Sequence, residues 1–127
     1  QRIPVIGYAQ AGQNGFFDDA GYPTGDGWDE VLFPQVGDVA AFALEVTGDS
    51  MVPVYRDGDI IIVSPASSIR RGDRIVLKTL DGEVMAKQLA RQTVTRVELH
   101  SLNRLYGDRT LRINEIAWMS RVVWASQ

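Results

Sequence analysis

The chain has 127 residues, one domain's worth and enough to close a single hydrophobic core. Apolar residues make up 45% and charged residues 23%, too apolar for a disordered chain; the lack of cysteine excludes a disulfide framework, a thiolate metal site and a cysteine nucleophile, and a single histidine excludes a His-rich metal site. A net charge of -3 and a pI near 5.0 suit a phosphate backbone poorly, so any DNA contact is expected to lie in another part of the protein.

The opening "QRIPVIGYAQAG" lacks the apolar core of a signal peptide, and no segment approaches the roughly 20 apolar residues of a membrane span. A cytoplasmic protein without membrane association is expected. "IPVIGYAQAG" can lie as an extended apolar strand. "QAGQNGFFDDAGYPTGDGWD", Gln10 to Asp29, is crowded with Gly, Asp and Pro and reads as a long loop.

Apolar alternation then dominates, and sustained helical periodicity is missing. "AFALEV" (Ala41 to Val46) predicts a strand. "DIIIVSP" predicts a buried strand ended by Pro65. "DRIVLKTL" (Asp73 to Leu80) and "EVMAKQLARQ" (Glu83 to Gln92) flank Asp81-Gly82, a strong hairpin signal. "TVTRVELHSL" (Thr93 to Leu102) alternates again. "EIAWMSRVVWAS" (Glu115 to Ser126) fits a strand or a short helix; its Val and Trp content favours the strand. The expected fold is mainly β: compact and mostly antiparallel, with several short strands. No metal or cofactor is expected.

Between the first two of these strands lies "VTGDSMVPVYRDGD", Val46 to Asp59, which raises the question of whether Ser50 does chemistry. A serine hydroxyl is a weak nucleophile until a base takes its proton. His100 sits alone inside an alternating strand, where a surface or packing role is the ordinary reading. The other route is a neutral lysine. At pH 7 only about one free lysine in 2,500 is unprotonated, and burial among apolar side chains raises that fraction. The chain has two lysines, Lys78 beside the predicted hairpin turn and Lys87 among Val84, Met85, Ala86 and Leu89. On a strand, Lys87 would share a face with Met85 and Leu89, the better setting for a base. The alternative is a lysine whose stem is buried while its amine reaches water.

"VTGDSMVPVYRDGDIIIV" followed by "GEVMAKQL" resembles the C-terminal domain of LexA, the lambdoid phage repressors and UmuD, which are self-cleaving serine peptidases with a Ser-Lys dyad. The resemblance covers about Ala41 to Leu102, with the Gly-Asp-Ser-Met element, the Asp-Gly-Asp turn and the lysine in order. The 37-position separation of Ser50 from Lys87 fits the short spacing of LexA and UmuD. Type I signal peptidases share the serine element, but they need a membrane anchor and substrate loops that are not seen here.

The resemblance implies that Ser50 is the nucleophile and Lys87 the general base, with backbone N–H groups near Ser50 holding the oxyanion. Asp57, Gly58 and Asp59 match a structural turn, and Met51 and Pro53 match packing and turn positions. The family cuts its own chain, usually at Ala-Gly ahead of the serine. Ala11-Gly12 lies 39 positions before Ser50 and Ala20-Gly21 lies 30 before it. Spacing and apolar context favour Ala11-Gly12. The expected organisation is one peptidase and dimerisation domain over residues 1–127. Within it, residues 1–40 form the cleavage segment and long loop, and residues 41–127 the catalytic core.

An N-terminal helix-turn-helix DNA-binding domain is expected to be absent from this chain. The implied protein is the C-terminal regulatory domain of a repressor of the SOS-response type. It forms a homodimer, to which exposed Trp118, Met119 and Trp124 would contribute unless they are core. A RecA filament or an antirepressor would trigger it. The Gly- and aromatic-rich loop departs from LexA and sits closer to phage-repressor-type regulators. The alternative is therefore a non-cleaving dimerisation or sensor module induced by partner binding.

Overall fold

A computed structural model describes residues 1–7, 30–33, 37–48 and 51–126. The long loop expected over Gln10–Asp29 lies outside the described residues. Nine strands run in chain order: β1 Arg2–Gly7, β2 Glu30–Leu32, β3 Phe42–Glu45, β4 Ile60–Ser64, β5 Arg74–Thr79, β6 Val84–Gln92, β7 Arg96–Ser101, β8 Arg109–Arg112 and β9 Ile116–Ala125. The only helical element among the described residues is a 3-10 turn at Ile113–Glu115.

The strands form one sheet in the order β2-β1-β3-β4-β9-β5-β6-β7-β8. The pair β1 with β3 is parallel, and the other seven pairs among the described residues are antiparallel. The mainly β, mostly antiparallel expectation therefore holds, and within the Glu115–Ser126 segment Ile116–Ala125 is a strand. That strand, β9, is central: Ile116 to Arg121 pairs with β5, and Arg121 to Ala125 pairs with β4.

Side-chain alternation splits the core by face. Phe42, Leu44, Met51, Val76, Val84, Ala86 and Trp118 belong to one cluster. Ile75, Leu77, Met85, Leu89, Val97, Leu99 and Leu111 belong to another. Burying each Val, Leu, Ile, Phe or Met side chain among them contributes about 1.5–3 kcal/mol. Trp118 is only 6% exposed and meets Phe42 edge to face, with ring centroids 6.1 Å apart. Of the two roles open to it, interface and core, Trp118 takes the core, because alternation along β9 turns it inward. Met119 is half-buried against the second cluster, while Trp124 is 42% exposed.

Two turns position the site. At the β5–β6 hairpin, Gly82 has φ 92 and donates its N–H to the Thr79 carbonyl (3.0 Å), a conformation that side chains with a Cβ rarely adopt. Ahead of β4, Gly58 has φ 89 and donates to the Val46 carbonyl (2.8 Å), while the Asp57 carboxylate accepts from the Gly48 N–H (2.8 Å) and the Asp59 carboxylate from the Arg56 N–H (2.9 Å). The Asp57–Asp59 run is the structural turn expected of it.

Candidate active site

Lys87 lies in β6, between β5 and β7. Its cross-strand partners are Ile75 on β5 and Ser101 on β7. Along its own strand, Met85 and Leu89 share its face, because side chains two apart point the same way. Met85, Leu89 and Ile75 all belong to the second apolar cluster. Lys87 is thus a half-buried residue on a mostly aliphatic face.

Its pKa lies below the ordinary 10.5. Burial is the main cause, and the positive charge of Arg109 adds to it; Glu83 and Asp108 pull the other way. Arg109 is tied up in turn. Its Nη1 lies 2.7 Å from Glu83 Oε2 and 4.0 Å from Met85 Sδ. Asp108 accepts from the Ser101 N–H (3.0 Å) and lies 3.0 Å from His100 Nδ1. Among the described residues, no hydrogen bond or ion pair engages the Lys87 amine itself. A lysine with no counter-ion in contact and a depressed pKa is the form of lysine that can accept a proton.

Lys78 contrasts with it. It is more deeply buried, at 8% exposure, and stands opposite Val84 and Trp118 on the other face of the sheet. His100 is an exposed β7 residue held by Asp108, in keeping with a surface role.

Ser50, Ala11 and Gly12, with the alternative bond Ala20-Gly21, lie outside the described residues. The residues flanking Ser50 are described. Gly48 has φ 81 and is bonded to Asp57. Met51 is 1% exposed, and its carbonyl accepts from the Tyr55 N–H (2.8 Å). Met51 belongs to the same apolar cluster as Val84 and Ala86, which alternate with Lys87 along β6 and so face the opposite side of that strand.

The reading of sequence missed Glu83, Ser101, Asp108 and Arg109. Their proximity to Lys87 depends on the register of β6, β7 and β8, which no local motif announces. A groove of about 580 Å³ near Val94, Arg96, Arg112 and Ile113 lies beyond the far end of β6 and holds no candidate base. Its volume alone does not mark a reactive site. Among the described residues, no group of three or more His, Cys, Asp or Glu side chains is arranged to hold a metal. No helix there is long and apolar enough to cross a membrane.

Residues 4–123 match the family described as Peptidase S24-like. The prophage repressor CohE of Escherichia coli (strain K12) is 32% identical over 116 residues, covering 88% of this chain and 50% of that protein. The LexA repressor of Geobacillus kaustophilus (strain HTA426) is 34% identical over 98 residues, 71% of this chain and 42% of that protein. The LexA repressor of Desulfatibacillum aliphaticivorans is 37% identical over 71 residues, 55% of this chain and 34% of that protein. The chain spans half or less of the length of these relatives.

Proposed function

The chain belongs to the Peptidase S24-like family, and from that premise we propose that it is the self-cleaving regulatory domain of a LexA- or phage-repressor-like transcriptional regulator. The observation that carries this reading is Lys87: a half-buried side chain on an aliphatic sheet face, depressed in pKa and with no contacting counter-ion among the described residues.

In the proposed reaction, neutral Lys87 takes the Oγ proton of Ser50. The oxygen attacks the carbonyl carbon of Ala11. The tetrahedral adduct collapses with cleavage of the Ala11–Gly12 bond, and the Gly12 amine leaves with the proton returned by Lys87. Water then attacks the Ala11 ester carbonyl and gives a proton to Lys87, which passes it to Ser50 Oγ as the ester bond breaks, freeing the Ala11 carboxyl group. One chain performs one turnover. A DNA-binding domain carried on the same protein would be severed from its dimeriser. Its operator affinity would fall with the loss of effective concentration at paired half-sites. A RecA filament or an antirepressor would act as trigger.

The test is cleavage kinetics at several protein concentrations. An intramolecular reaction keeps one first-order rate at every dilution and disappears in Ser50→Ala and in Lys87→Ala. A rate proportional to concentration, or one that survives either substitution, would refute the proposal.

One observation favours a second reading, a non-cleaving dimerisation module. Val123 and Trp124 are 37% and 42% exposed on β9, beside a groove of about 320 Å³ bordered by Tyr55, Arg74 and Arg121. Apolar exposure of this kind suits a second copy of the chain. Under this reading dimers form and the chain stays whole at every pH.

A further inference from the structure

We infer that Ser101 is a positioning residue for Lys87, its hydroxyl holding the lysine amine in the orientation that proton transfer requires. The inference rests on reading Lys87 as the general base. Two polar groups lack partners among the described residues. Ser101 Oγ is buried and has no hydrogen-bond partner among them. The Lys87 amine has none among the described residues. The two residues are register partners on adjacent antiparallel strands, so their side chains share one face, with Cβ atoms about 5 Å apart.

The other same-face neighbours narrow the choice. Met85 and Leu89 flank Lys87 along β6, and Ile75 faces it from β5. None of the three offers a good hydrogen-bond acceptor, and the Met85 sulfur already faces Arg109 at 4.0 Å. Ser101 alone among them can accept an N–H from an amine. Its backbone is fixed independently, because its own N–H donates to Asp108 Oδ1 at 3.0 Å. The hydroxyl is therefore held on a rigid strand, and the lysine is the flexible partner.

A base lysine must aim its lone pair at the serine proton. Accepting one amine N–H at Ser101 Oγ fixes the remaining directions of the nitrogen. The same bond is kept when the amine becomes an ammonium, so it also stabilises the product of proton transfer. Hydrogen bonding to the charged form favours that form. Among the described residues, the charged or titratable groups around Lys87 are Glu83 on the hairpin, Asp108 just before β8, Arg109 at its start, and His100 beside Ser101; all stay in place when only the hydroxyl is removed.

The experiment compares the parent chain with Ser101→Ala and Ser101→Thr. Self-cleavage is followed against pH, and the two lysine side chains are titrated by carbon-13 NMR. With two lysines in the chain, Lys78 serves as the internal control. Ser101→Ala is expected to lower the alkaline plateau rate by about tenfold to a hundredfold, the scale of a misplaced reacting group. It should also move the midpoint of the profile and the Lys87 titration to lower pH, leaving Lys78 unchanged. Ser101→Thr should stay near the parent. A merely structural role predicts the opposite midpoint shift, since loosened packing admits water and lets Lys87 return toward 10.5. Parent-like plateau and midpoint in Ser101→Ala, or a midpoint moved upward, would overturn the inference alone. A parent chain that stays whole at every pH would overturn the dyad reading and this inference with it.

Discussion

Arg109 and Glu83 form an ion pair of 2.7 Å that joins β8 to the hairpin end of β6 across the intervening β7. The pair places opposite charges near Lys87, and they act on it with opposite sign.

Removing either partner should therefore retune the lysine. Glu83→Gln deletes a carboxylate that favours the ammonium, so the Lys87 pKa should fall further and the rate-against-pH profile should move to lower pH. Asp108→Asn should move it the same way. Arg109→Gln deletes a repelling cation and should raise the Lys87 pKa, slowing cleavage at neutral pH. Carbon-13 titration of the two lysines reads the sign directly; a common direction for Glu83→Gln and Arg109→Gln would contradict this electrostatic account.

Lys87 also costs stability. Its folded pKa lies below the unfolded value of 10.5, so the unfolded chain binds more protons in the window between them and stability rises with pH there. Below the folded pKa the penalty is full. Lys87→Met should unfold at a higher temperature than the parent at pH 7, and its advantage should narrow as the pH climbs toward 10.5. Thermal melts across that range check this; an advantage that grows with pH has the wrong sign.

The two tryptophans at either end of β9 should separate stability from association. Trp118→Ala opens a cavity beside Phe42 and should cost about 3–5 kcal/mol in denaturant unfolding. Trp124→Ala should cost about 1 kcal/mol, the scale of its edge-to-face contact with Phe33 at 5.0 Å. If the exposed stretch of β9 is the dimer face, Trp124→Ala should weaken dimerisation measured by sedimentation, at unchanged fold.

Asp38 should set the acid limit of the N-terminal part of the sheet. It is 7% exposed and accepts from Ser64 Oγ (2.7 Å), Ala40 N–H (2.8 Å) and Ala66 N–H (2.9 Å). Burial alone would raise its pKa; the bonds from Ala66, Ser64 and Ala40 outweigh it and hold the carboxyl below the ordinary 3.8. Its contribution is complete above the unfolded value and is lost as pH falls through the folded one. Asp38→Ala leaves three donors unanswered and should cost about 3 kcal/mol at pH 7, with a smaller difference from the parent in strong acid.

How much of this was legible in the sequence differs from residue to residue. Asp81-Gly82 marks its hairpin because the turn demands a glycine at φ 92. β4, β5 and β6 follow from apolar runs bounded by turn residues. β2 and β8 do not stand out, because three- and four-residue edge strands carry too few side chains to show a period. The placement of β9 between β4 and β5 is a long-range pairing that no local pattern encodes. The apolar face around Lys87 was readable from Met85 and Leu89 along one strand. Ser101, Asp108 and Arg109 were not, because they reach that face only through the register of two further strands. Trp118 and Trp124 look alike in sequence, yet one is buried and the other exposed.

The most direct test of the central claim is intact-mass spectrometry after incubation across about pH 7 to 10, a range chosen to span a lysine titration, with Ser50→Ala and Lys87→Ala alongside. The proposal predicts a new species beginning at Gly12 that accumulates faster as pH rises and is missing from both variants. A species beginning at Gly21 would keep the peptidase and reject Ala11-Gly12 as its bond. A parent chain that remains whole at every pH, with activated RecA filament or without, would contradict self-cleavage and leave the dimerisation module as the function of this domain.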